Sequence, residues 1–282
     1  MKTWAVLTFL YAIFTGFFQC SKKKASEKNS ILEVLATFTT IAFFIVLFTS
    51  KNVFDIELKY IMIIFLKSSI IVVAWLLALY AISRMSISLY SAINLSRIIF
   101  SVILSVIFLG ERLTATILAG LIIVITGLVL VNLISNQKEN KEVSFKIILI
   151  LLFSCLLNSI SAVIDKKVLV NITSSQLQFW FLLFLSLIYW WIILLRNKKV
   201  DFKSLNKNYW VLVAAISLAV GDKFLFMANE IPESSVTVMT IIKQFSAIEL
   251  IILGKILFKE KNIIKKLLCS ILIIFGIILT IV

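Results

Sequence analysis

Arg97 stands in the middle of an apolar run, with Ser91, Asn94, Ser101 and Ser105 around it at spacings of three and four. That spacing puts the five on one face of a helix as a polar stripe. A later apolar run repeats the pattern with Thr237, Thr240, Lys243 or Gln244, and Ala247. Ser154, Asn158, Ser161 and Asp165 form a third stripe, and Thr8, Tyr11, Thr15 and Gln19 a fourth. An ionisable side chain deep in an apolar helix costs several kcal/mol or more, so it faces a cavity or a partner. Cations among hydroxyl and amide groups are the donors that recognise carboxylate or phosphate. The residues expected to line such a cavity are Tyr11, Lys67, Asn94, Arg97, Asn158, Thr240, Lys243 and Gln244. A plainer use stays open. Ser and Thr on membrane helices also bond their own backbone or a neighbouring helix, and Arg97 and Lys243 also suit structural ion pairs.

Three carboxylates accompany these cations. Asp222 is adjacent to Lys223, so the two point apart, and Lys243 is its expected partner. Asp165 nears a span end, where Lys166 and Lys167 are the neighbours that would neutralise it, and Glu249 has no evident partner. With no histidine in the chain, Asp165, Asp222 and Glu249 are the candidates for carrying a coupled proton. Lys67, Arg97, Lys223 and Lys243 outnumber them, which favours an anionic or zwitterionic small solute such as an amino acid or organic acid.

Other chemistries lack their residues. Without histidine, a thiol beside a base or a carboxylate pair at short spacing, neither metal hydrolysis nor acid–base catalysis is expected, so the chain reads as no enzyme. Cys20, Cys155 and Cys269 are scattered without metal-ligand spacing, so no metal, disulfide framework or other cofactor is expected. No phosphate-binding G-x-x-x-x-G-K-[ST] loop occurs, which argues against an ATP-driven pump.

The elements that position these stripes follow from composition. Of 282 residues, 61% are apolar and 15% charged, and the mean hydropathy is +1.10. A soluble core of this size cannot hide that much apolar surface, so lipid is the solvent for most of the chain. Apolar runs bounded by charges give ten candidate spans, at 3–20, 31–50, 58–82, 86–109, 113–134, 146–167, 175–195, 209–229, 234–257 and 263–282. The runs are continuous rather than alternating, which selects helices over a barrel. The fold class expected is therefore all-α integral membrane. Residues 3–20 read as a first transmembrane helix rather than a cleaved leader, because no small-residue site precedes Cys20. The net charge of +14 comes from lysines clustered in short loops, which anchor membrane helices and do not point to nucleic acid. The expected partners are a small-molecule solute and the lipid bilayer, with the chain as monomer or homodimer.

A repeat organises the ten spans. Residues 107–130 read IFLGERLTATILAGLIIVITGLVL and residues 256–279 read ILFKEKNIIKKLLCSILIIFGIIL. Glu111 and Glu260, like Gly127 and Gly276, lie 149 positions apart. Five helices is an odd number, so two consecutive copies enter the membrane from opposite sides, and residues 1–134 and 146–282 become inverted repeats. Glu111 and Glu260 sit where a helix begins, a favourable place in the helix dipole rather than a ligand position.

The segment Gly110-Glu111-Arg112-Leu113 with Gly127 resembles the end of the repeat in EamA-type proteins of the drug/metabolite transporter superfamily. The resemblance implies ten helices in two inverted five-helix repeats and the transport of amino acids, metabolites or drugs. Members often carry proline in the fourth and ninth helices, where this chain has Ser96-Arg97-Ile98 and Lys243-Gln244-Phe245, so no particular substrate carries over. The expected activity is secondary transport of a small polar metabolite by alternating access in the cytoplasmic membrane of a bacterium. The alternative is a flippase for a lipid-linked metabolite, which would also use a cationic groove. The loops at 21–30, 83–85, 135–145, 196–208 and 258–262 share one side and hold most of the Lys and Arg. The positive-inside rule makes that side cytoplasmic and puts both termini outside, opposite to the orientation usual in the family.

Overall fold

A computed structural model of the protein describes residues 2–82, 84, 93–94, 96–135, 144–197, 200–258 and 263–281. Among the described residues the regular structure is helical and no strand occurs. The helices are α1 (Thr3–Ser26), α2 (Ile31–Thr49), α3 (Leu58–Ile82), α4 (Ser96–Leu109), α5 (Ala115–Ser135) and α6 (Phe145–Val168). They continue with α7 (Ser174–Leu195), α8 (Phe202–Lys207), α9 (Tyr209–Glu230), α10 (Val236–Ile242), α11 (Phe245–Phe258) and α12 (Ile263–Ile281).

Among the described residues, seven segments are long and apolar enough to cross a membrane: Thr3–Ser26, Ile31–Thr49, Leu58–Ala81, Phe145–Val168, Ser174–Leu195, Tyr209–Glu230 and Val236–Leu257. Ser96–Leu109, Ala115–Leu130 and Leu267–Ile281 are shorter apolar helices. Large apolar side chains face outward, Phe48 being 85% exposed and Ile264 77% exposed. Water would not tolerate such a surface, and lipid does. The helix starts are written locally. Ser30 with Glu33 and Thr173 with Gln176 form capping boxes at α2 and α7.

The ninth apolar run is not one continuous helix. It breaks at Lys243-Gln244, between α10 and α11. Gln244 Nε2 donates to the Thr240 carbonyl at 2.9 Å, and Ser246 Oγ donates to the Lys243 carbonyl at 2.8 Å. The backbone there tightens, Gln244 N–H donating to the Ile241 carbonyl and Ala247 N–H to that of Gln244, and the side chains supply donors to the carbonyls at the break.

Packing joins the two halves throughout. α1 lies against α9 and α3 against α6; α4 meets α6 and α1 meets α11. α2 meets both α7 and α9, α3 meets α7, α4 meets α10, and α5 meets α12. The α5–α12 contact is close because glycines face each other. A Cβ on Gly120 would overlap the Gly276 carbonyl, and one on Gly276 would overlap the Gly120 carbonyl and Val124.

Candidate functional site

A cavity of about 140 Å³ lies among α1, α3, α6, α9 and α10, together with Asn94 and Arg97 at the start of α4. A single water needs about 10–15 Å³ on this scale, so the space suits a solute of roughly ten heavy atoms or the equivalent water. α1 contributes Tyr11, Thr15, Gln19 and Lys22, and α3 contributes Lys67 and Trp75. Asn158, Ser161 and Asp165 come from α6, Asp222 and Asn229 from α9, and Lys243 from the break after α10.

The structure thus brings together Tyr11, Lys67, Asn94, Arg97, Asn158 and Lys243 from the expected lining set, with Asp165 and Asp222. Thr240, Gln244 and Glu249 stand outside the lining. The Thr240 backbone and the Gln244 side chain serve the break between α10 and α11. Both carboxylate oxygens of Glu249 are buried without a hydrogen-bond partner among the described residues, and the side chain rests where a Cβ on Gly16 of α1 would sit.

The ion pairs differ from the sequence expectation. Asp165 does not turn to Lys166 or Lys167; its Oδ1 lies 2.5 Å from Nζ of Lys67 across the α3–α6 contact. Lys67 is 1% exposed, and its amine also sits 3.7 Å from the centroid of the Phe181 ring and 4.7 Å from that of Phe226. A carboxylate and two ring faces together replace the water that this amine has lost. Lys166 instead reaches the α9–α10 turn, donating to the carbonyls of Asn229 at 3.0 Å and Ile231 at 2.7 Å and to Ser234 Oγ at 2.6 Å. Asp222 and Lys243 line the same cavity without an ion-pair contact between them. The Lys243 amine lies 5.3 Å from the Tyr11 ring centroid. Lys223 turns away from the cavity to the start of α7, with Ser175 Oγ at 2.6 Å.

Many hydroxyls of the polar stripes bond protein groups. Thr8 and Thr15 donate to carbonyls of their own helix, at Trp4 and Tyr11. Ser154 donates to the Ala74 carbonyl of α3, Ser101 to Ser159 of α6, and Ser105 meets Thr237 of α10 at 2.7 Å. The last three bonds hold helices together, while Thr15, Ser154 and Ser161 join Gln19, Asn94, Arg97 and Lys243 in the cavity lining. Ser91 lies outside the described residues.

Two contributors were not visible as such in the sequence. Lys22 was expected in a loop, but α1 continues to Ser26. Lys22 therefore lines the cavity, its amine 4.8 Å from the Phe18 ring centroid and 5.8 Å from that of Trp75. Glu111 was expected to favour the start of its own helix, and it serves another one. It accepts from the backbone N–H groups of Val236 and Thr237 and from Ser235 Oγ, so it caps α10 from the opposite half. Glu111 and Lys166 thereby fix the start of the short helix that ends at Lys243. Glu260 lies outside the described residues.

Comparisons with known proteins agree with this architecture. Residues 2–133 match the EamA-like transporter family. An uncharacterised protein of Methanocaldococcus jannaschii is 28% identical over 138 residues, which is 48% of this chain and 100% of that protein. A solved crystal structure superposes with a TM-score of 0.76 at 13% identity, covering 98% of this chain and 95% of the other, a likeness of fold. Over residues 2–133, just under half its length, this multi-pass helical membrane chain is similar to the EamA-like transporter family.

Proposed function

We propose that the protein is a secondary-type carrier that moves a small anionic or zwitterionic metabolite across the cytoplasmic membrane by alternating access at the central cavity. The observation that carries this reading is the charge left free there. Lys22, Lys67, Arg97 and Lys243 face Asp165 and Asp222, and Lys67 is already paired with Asp165. Arg97 and Lys243 have no ion-pair partner among the described residues. They come from the fourth and ninth apolar runs, so each half offers one cation to a shared solute.

The frame proposed is ten crossings in two inverted repeats, residues 1–134 and 146–282. The helix pairings support it. Exchanging α1 with α6, α2 with α7, α3 with α9, α4 with α10–α11 and α5 with α12 turns the α1–α9 contact into α6–α3. The same exchange turns α4–α6 into α11–α1 and α2–α9 into α7–α3, and returns α2–α7, α4–α10 and α5–α12 to themselves. A break at Lys243-Gln244 beside the cavity fits the discontinuous helices that line solute sites in repeat-built transporters.

Metabolite pools inside and outside cells with and without the protein test the reading. A small anion or zwitterion whose distribution shifts supports it; unchanged pools of such solutes with a shifted lipid-linked intermediate would favour the flippase.

A further inference from the structure

Away from the central cavity, a concavity of about 390 Å³ opens between the α1–α2 turn and α8, lined by Lys28, Asp201, Lys203, Ser204 and Lys207. Its two walls are tied together. Asn29 Nδ2 donates to Ser204 Oγ at 2.8 Å, and Asn208 Nδ2 donates to Asn29 Oδ1 at 2.9 Å and to the Ala25 carbonyl at 3.1 Å. Asp201 is engaged as the cap of α8, its Oδ1 accepting from the Ser204 N–H at 3.0 Å. The side-chain amines of Lys28, Lys203 and Lys207 make no hydrogen bond, ion pair or ring contact with the described residues. Three uncommitted amines therefore converge on a walled space with one partly occupied carboxylate.

The surroundings say what kind of anion fits. Phe202 of α8 stacks on Trp190 of α7, with ring centroids 6.0 Å apart. Next in the chain to the residues that line and tie the concavity, Phe202 is 59% exposed and Tyr209 61%. Exposed aromatic and aliphatic groups at the ends of apolar helices mark the boundary between hydrocarbon and headgroups. An amine cluster directly at that boundary meets phosphate with acyl chains beneath it, whereas free phosphate would use the lysines and leave the apolar rim bare.

We propose that Lys28, Lys203 and Lys207 hold the phosphate of an anionic phospholipid. The site belongs to the lysine-rich side, where the positive-inside rule places the cytoplasmic leaflet. It is independent of the solute in the central cavity. An occupied site bridges the turn after α1 and the segment before α9, two helices that line that cavity.

Native mass spectrometry of the purified full chain with phosphatidylglycerol, against phosphatidylcholine, tests the assignment. The triple variant Lys28→Gln/Lys203→Gln/Lys207→Gln is compared with Lys51→Gln/Lys146→Gln/Lys255→Gln, which removes equal charge elsewhere. At roughly fivefold per lysine, the first variant is expected to weaken phosphatidylglycerol retention by about a hundredfold. The control is expected to hold lipid like the unaltered chain, with equal melting temperatures throughout. Equal retention by both variants, or equal loss from both, overturns the proposal. So does displacement of the lipid by millimolar inorganic phosphate, which would assign the lysines to the free anion.

Discussion

Nζ of Lys67 on α3 lies 2.5 Å from Oδ1 of Asp165 on α6, which cancels one cation and one carboxylate inside the cavity. Both side chains are buried, so removing one partner strands the other. Asp165→Asn is expected to destabilise the protein by about 3–5 kcal/mol, read as a lowered melting temperature in detergent. The double variant Lys67→Met/Asp165→Leu removes both charges and is expected to lose much less. Equal losses in the two would show that the pair is not the cause.

The cap that Glu111 provides crosses from the α4–α5 connection to α10. Glu111→Ala leaves the first N–H groups of α10 without acceptors and is expected to cost about 1–2 kcal/mol. Because α10 ends at Lys243, transport is expected to fall further than stability alone accounts for. Glu111→Gln, which keeps an acceptor but no charge, is expected to fall between. Melting curves run in parallel with uptake measure both effects.

Glu249 presents two buried carboxylate oxygens with no hydrogen-bond or ion-pair partner among the described residues, against Gly16. An ionised carboxylate in such a place costs several kcal/mol, whereas an amide of the same shape does not carry that charge. Glu249→Gln is therefore expected to fold as stably as the unaltered chain. If Glu249 carries a coupled proton, uptake by this variant loses its pH dependence, which an uptake series across external pH measures. Gly16→Leu is expected to be strongly destabilising, since the added side chain has Glu249 in its place.

The α5–α12 contact depends on paired small residues. Gly276→Leu pushes the helices apart at Gly120 and Val124 and is expected to lower the melting temperature clearly. Leu268→Ala, 60% exposed on the same helix, is expected to change it little by comparison. Similar effects from the two would argue against close backbone approach as the source of stability.

Much of this arrangement is legible in the sequence, for physical reasons. Apolar runs bounded by lysines mark helices because lipid forces the backbone to satisfy itself locally. The three- and four-residue spacing of Asn94 and Arg97 is enough to put both on the cavity. What spacing alone misses is long-range pairing. Asp165 follows its neighbours Lys166 and Lys167 in the chain, yet its partner is Lys67, about a hundred residues earlier on α3. Thr240 and Gln244 sit on the same stripe as Lys243, but neither lines the cavity, and the Gln244 amide turns to the Thr240 carbonyl at the helix break. Lys22 reads as a loop anchor because charge ends an apolar run, although hydrogen bonding carries α1 four residues further. Glu111 caps a helix that begins 125 residues later, which no local pattern signals.

The central claim is that Arg97 and Lys243 meet the solute's negative charge. Uptake of the solute found by metabolite comparison, measured in proteoliposomes containing the unaltered protein, Arg97→Ala, Lys243→Ala or the double variant, tests it most directly. Each single variant is expected to lose about tenfold or more in apparent affinity, as removal of a charge-assisted hydrogen bond implies, with melting temperatures preserved. Uptake undiminished in the double variant would contradict the account.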